Sequence, residues 1–158
     1  MNNALNIWVK RVLDILFYIG LVLEVLVPIS LRKAVELVIA ILGEHTEYAA
    51  INDHYIFAVI TIMCAGAMAL LILKELRSMM STVIKDDCFV QKNVTSLDRM
   101  ALYAFIIAAV KLLRNLIYFT PASLVTAAVF LFAGLFSKVL ARVFDKAVRY
   151  KEENDLTI

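Results

Sequence analysis

The sequence predicts an all-α polytopic membrane protein. The expected architecture is an antiparallel bundle of four transmembrane helices, with a short outer-face helix and helical extensions into the cytosol. Three observations carry this. Hydrophobic residues make up 63% of the 158-residue chain, against about 45–50% in a soluble domain. A water-soluble domain of this size could not hide so much apolar surface. Four apolar segments each approach the roughly 20 residues needed to cross the hydrocarbon. Finally, the basic residues gather on one side of those segments.

The spans, taken in order, define a single membrane domain over residues 1–158. The first runs roughly Val9–Val27 and is closed by Pro28, because proline removes a helical hydrogen bond. It lacks a small-residue cleavage site and carries Asp14 and Glu24, so it is expected to be retained as a span. The second runs Tyr55–Leu73. The third runs Met100–Phe119 and stops at Thr120-Pro121. The fourth runs Ala122–Ala141. The last connection is very short, which makes the third and fourth spans a tight hairpin.

Orientation follows from the basic residues. With the N-terminus inside, the inner side holds Lys10, Arg11, Lys74, Arg77, Lys85, Lys92, Arg99, Lys138, Arg142, Lys146, Arg149 and Lys151. The outer side holds only Arg32 and Lys33. Both termini are therefore expected in the cytoplasm, and the chain in a bacterial cytoplasmic membrane.

Between the first two spans, Leu31–Gly43 is apolar but too short to cross. Arg32 and Glu36 stand at i,i+4 spacing, so this segment reads as a helix lying along the interface or leaning on the bundle. The outer loop Glu44–His54 is acidic. Its His45, Glu47, Asp53 and His54 show no metal-specific spacing, and no metal or other cofactor is expected. Cys64 and Cys88 form no CxxC pattern and read as free thiols. The net charge of +2 is too small to argue for direct nucleic-acid binding.

Two spans keep an apolar stripe beyond the bilayer: Leu76, Met80 and Val83 after the second, and Phe144, Ala147 and Val148 after the fourth. These amphipathic extensions are expected to pack side by side. Asp145 and Arg149 are a favourable i,i+4 pair on the latter. In the inner loop, Thr95 and Asp98 fit a capping box that would start the third helix. Phe89 is expected to tuck back onto the bundle or into a partner.

The charges inside the spans are the candidate site. A charge in hydrocarbon costs several kcal/mol unless paired or hydrated. Rise per residue places Glu24, Lys111 and Arg114 at a shared level, with Asn115 beside them. That arrangement reads either as an ion, proton or ligand site or as an ion pair that fixes helix register. Asp14 is expected level with Lys138 and Arg142 at the inner ends. No Ser/His/Asp arrangement, glycine-rich phosphate loop or HExxH occurs, and no enzymatic activity is expected.

Two stretches carry a family resemblance. One is Glu75–Arg99, in which Phe89, Asn93, Leu97 and Arg99 fit an inner-loop pattern of a Gly-x-Pro-Phe-like turn, an Asn four residues on, then Leu and a basic residue. Cys88 replaces the Pro and Asp86-Asp87 the Gly, so the turn departs from that pattern. The other is the tail Phe144–Ile158, ending Glu-Asn-Asp-Leu-Thr-Ile. Together they resemble a bacterial family of small four-span membrane proteins, domain of unknown function 2975. Such proteins are often encoded beside an Xre-like helix-turn-helix regulator. The resemblance implies a membrane sensor or regulatory protein that contacts a cytosolic transcriptional regulator. Phe89, Asn93, Asn154, Asp155 and Leu156 are then the candidate contacts. The alternative is a small transporter or immunity-type protein that uses the Glu24, Lys111 and Arg114 level. A homo-oligomer stays open.

Overall fold

The computed structural model describes residues 3–43, 51 and 53–155. Four helices account for almost all of them: α1 (Asn3–Leu42), α2 (Tyr55–Ile84), α3 (Gln91–Ile117) and α4 (Pro121–Asp155). Each is long and apolar enough to cross a membrane. Large apolar side chains stand exposed along them, Ile29, Leu116 and Phe132 among the most open. Such a surface suits lipid rather than water. The chain is a multi-pass membrane protein.

The helices pack in chain order: α1 on α2, α2 on α3, α3 on α4. Among the described residues α1 touches neither α3 nor α4, and α2 does not touch α4. The bundle is thus an open row. Small residues let the helices approach closely, as in other membrane bundles. Leu70 packs against Gly20 between α2 and α1, and Phe105 packs against Gly134 between α3 and α4.

The first span does not end at Pro28. Helix α1 runs unbroken through it for 40 residues, so the outer-face segment is its continuation and not a separate helix. Pro28 frees only one carbonyl, and neighbouring groups in a membrane bundle absorb that defect. Burial then favours continuing the helix. Val35 is 4% exposed and packs with Ile51, Ala58 and Tyr118, flanked by Leu31, Ile39 and Phe57. The Tyr55 hydroxyl donates to the Pro28 carbonyl at 3.4 Å. The expected Arg32–Glu36 pair is formed at 3.7 Å.

Proline works as a boundary at α4 instead. Pro121 occupies the first helical position, where its missing N–H is not needed. The Ser123 N–H donates to the Thr120 carbonyl at 3.0 Å. The expected capping box at Thr95 does not start α3. That helix begins at Gln91, with Val90 extended before it, and the Thr95 hydroxyl donates to the Gln91 carbonyl within the helix. The turn leaving α2 is closed by backbone bonds from Asp86 to Val83 and from Asp87 to Thr82. Asp86 takes φ 56, a left-handed position that glycine fills most easily.

The extensions of α2 and α4 do not lie side by side. The first turns of α3 stand between them, so the extension of α4 packs on α3 and on the α2–α3 loop. Phe89 does fold back, with its ring centroid 5.5 Å from that of Phe144.

Candidate functional site

The row of helices has two chemically distinct ends. One carries the α2–α3 loop and the start of α1. The other carries the α3–α4 turn.

At the loop end, every neighbouring pair of helices is joined by an ion pair. Asp14 on α1 meets Arg77 on α2 at 2.5 Å. Glu75 on α2 meets Arg99 on α3 at 3.4 Å. Asp98 on α3 meets Lys138 on α4 at 2.6 Å. These residues form a belt across the row. From the belt to the far end, α2 covers about 30 Å between Glu75 and Tyr55, close to one hydrocarbon thickness. A belt at that spacing suits the edge of the hydrocarbon, where water and headgroups reduce the cost of charge.

Two belt contacts are more than surface pairs. Glu75 is 8% exposed and accepts a hydrogen bond from the Ser96 hydroxyl at 2.6 Å. The Arg77 guanidinium lies over the Phe17 ring, 4.5 Å from its centroid. One partner of each pair therefore has a second contact that orients it, the Glu75 carboxylate through Ser96 and the Arg77 guanidinium through Phe17.

Beyond the belt, Asn93 locks the loop. It is 1% exposed. Its amide donates to the Thr82 hydroxyl at 2.7 Å and to the Cys88 carbonyl at 2.7 Å. Thr82 in turn donates to the Met79 carbonyl at 2.6 Å. Asn93 was a candidate partner contact, but its burial makes it the bolt that holds the loop on α2. Phe89 remains about half exposed at 47%. Asn154 is exposed in the last turn of α4, Asp155 ends that helix, and Leu156 lies outside the described residues.

The extension of α4 and the start of α3 enclose a groove of about 520 Å³. Lys138, Arg142, Lys146 and Arg149 line it, with Asp98, Asp145 and Gln91. Lys138 and Arg149 are paired with Asp98 and Asp145. No ion pair within the described residues takes up Arg142 or Lys146, so the groove is basic. Lys151 pairs with Asp87 of the loop at 2.9 Å and ties the far end of α4 down.

The charge groups drawn from the sequence are sorted differently in space. Glu24 does not meet Lys111 or Arg114, because α1 and α3 are not in contact. Its carboxylate rests instead against Gly66 of α2, where a methyl group would overlap it. The levels differ too. Gly66 lies about 17 Å from the start of α2, whereas Arg114 lies about 5 Å from the end of α3. Asp14 likewise pairs with Arg77 and not with Lys138 or Arg142 on the distant α4.

At the turn end, Arg114 falls in the last turn of α3, where a cation complements the helix dipole. Its guanidinium covers the Tyr118 ring at 4.5 Å. Tyr118 also stacks on His54 with centroids 6.1 Å apart. The Asn115 side-chain oxygen accepts from the Thr120 N–H at 3.4 Å, and the Ser123 hydroxyl donates to the Lys111 carbonyl at 3.4 Å. Of His45, Glu47, Asp53 and His54 in the loop before α2, His45 and Glu47 lie outside the described residues.

Sequence reasoning missed Glu75, Arg77, Ser96 and Arg99 as a joined set, and missed Tyr118 and Thr120. A signal for the belt was present. Asp14, Glu75 and Asp98 are acids placed at the basic ends of three separate spans, where each is forced to choose a base on a neighbour.

Comparison with known families supplies one match. A family model described as a protein of unknown function (DUF2975) covers residues 36–158. Neither a curated protein nor a solved structure matches the chain.

Proposed function

Since the chain belongs to the DUF2975 family, we propose that it is a non-enzymatic membrane protein whose loop end is a cytosolic platform for a partner protein. The carrying observation is the reach of α4. It continues to Asp155, about 25 Å past Lys138, and is held there by Phe89 on Phe144 and by Lys151 on Asp87. A span that only crosses the bilayer has no need of such an extension. The groove along it offers Arg142 and Lys146 to an acidic segment, and Phe89, about half exposed, lines a neighbouring hollow that meets the groove at Gln91.

In this reading the loop end and both termini face the cytosol, in keeping with the basic excess there. The partner is a cytosolic regulator of the helix-turn-helix kind, and the protein holds or releases it. The transporter or immunity-type alternative needs Glu24, Lys111 and Arg114 on one path. The separation of α1 from α3 does not favour it.

The test is affinity capture from native membranes, using the full chain, a chain lacking Asn154–Ile158, and the Arg142→Glu/Lys146→Glu variant. The full chain should retain a cytosolic regulator. The charge reversal should lose it while membrane insertion stays intact, since insertion depends on the spans. Equal retention by the charge-reversed protein would remove the groove from the mechanism.

A further inference from the structure

The turn end gathers buried polar groups that nothing in the described protein receives. Arg114 Nε, Asn115 Nδ2, Tyr118 Oη and Thr120 Oγ1 are shielded from solvent and have no hydrogen-bond partner among the described residues. All four come from one stretch, residues 114–120, that closes α3 and opens α4. Tyr118 is 7% and Thr120 5% exposed. Buried polar groups are nearly always satisfied, so several orphans in one place call for an occupant.

The chemistry of the orphans identifies the occupant. Arg114 Nε and Asn115 Nδ2 are donors only, and the two hydroxyls can donate. Arg114 is a fixed cation, and Lys111 lies one turn before it on the same face of α3. No ion pair with a described carboxylate takes up either one. The Tyr118 ring covers one face of the guanidinium, which leaves its donating edge for a planar or tetrahedral oxyanion. The N-terminus of the 35-residue α4 opens beside these groups at Pro121, and a helix N-terminus favours negative charge.

We propose that Arg114, Asn115, Tyr118 and Thr120, with Lys111, form a binding site for an oxyanion group, a phosphate or carboxylate, at the turn end of the α3–α4 hairpin. The group belongs either to the headgroup of an anionic phospholipid or to a free small anion. Neither source requires the cytosolic partner, so this site and the loop-end platform stand or fall separately.

The test is thermal unfolding of the full chain at constant ionic strength. One series adds inorganic phosphate or acetate in detergent. A second compares nanodiscs of phosphatidylglycerol with nanodiscs of phosphatidylcholine. Saturable stabilisation by phosphate or acetate identifies a free anion. Stabilisation by phosphatidylglycerol alone identifies a headgroup. In either case Arg114→Gln should weaken the effect at least tenfold.

Tyr118→Phe separates binding from structure. It keeps the ring on Arg114 and His54 and deletes only the orphaned hydroxyl. The variant should melt no lower than wild type without added anion, yet lose several-fold in anion affinity. A lower melting temperature without added anion, unchanged anion response in both variants, or no response to any of these probes would overturn the site.

Discussion

Asp14 and Arg77, 63 positions apart in the chain, meet at 2.5 Å across the contact of α1 and α2. The pair does more than neutralise charge. Among the described residues α2 is the one helix that α1 packs against, so its register along the row rests on this contact together with the seats at Gly20 and Gly66 and the cluster around Val35. Both side chains are partly open, Arg77 at 25% and Asp14 at 34%, which limits the energy. Asp14→Asn should cost about 1–2 kcal/mol in detergent unfolding, between an exposed and a buried pair. Arg77→Gln should cost somewhat more, because it also uncovers Phe17. A double-mutant cycle with no coupling between the two would show the contact to be incidental.

Gly66 is the deeper lock on α1. A methyl group there overlaps the Glu24 carboxylate. Gly66→Ala should therefore lower stability by about 1–3 kcal/mol, as overpacking does. Adding Glu24→Ala should restore most of that loss, which a melting curve of the double variant checks. Failure of the second change to compensate would place the strain elsewhere.

The loop between α2 and α3 makes opposite predictions at two positions. Asn93→Ala removes two donors from a buried network and should cost about 2–3 kcal/mol. Cys88→Ala should be nearly neutral, since only the Cys88 carbonyl is used. Asp86→Gly should stabilise by about 0.5–1 kcal/mol, because φ 56 suits glycine. Chemical unfolding of the three variants in one detergent gives the order directly.

Much of the architecture is written in local pattern. The four spans, the tight α3–α4 turn at Pro121 and the inward fold of Phe89 each follow from a few neighbouring residues. What local pattern does not hold is which helices touch. Glu24, Lys111 and Arg114 were matched by depth alone, yet an open row keeps α1 from α3. Depth counted upward from Val9 and Met100 puts all three at one level, whereas α3 ends at Ile117, which leaves Arg114 in its final turn. Pro28 misled for a related reason. Its effect on α1 is set by burial of Val35 against Ala58 and Tyr118, residues remote in the chain. The orphaned hydroxyls of Tyr118 and Thr120 are visible only once their surroundings are placed.

Photo-crosslinking in living cells tests the loop-end platform most directly. A photoreactive residue at Lys146 lies in the groove beside Arg142, and one at Phe132 lies on an exposed apolar face of α4. The account predicts a specific adduct with a cytosolic protein from position 146, none from position 132, and loss of the adduct when Arg142 is changed to Glu. Adducts only to lipid or to the chain itself from position 146, or the same protein captured equally from both positions, would contradict it.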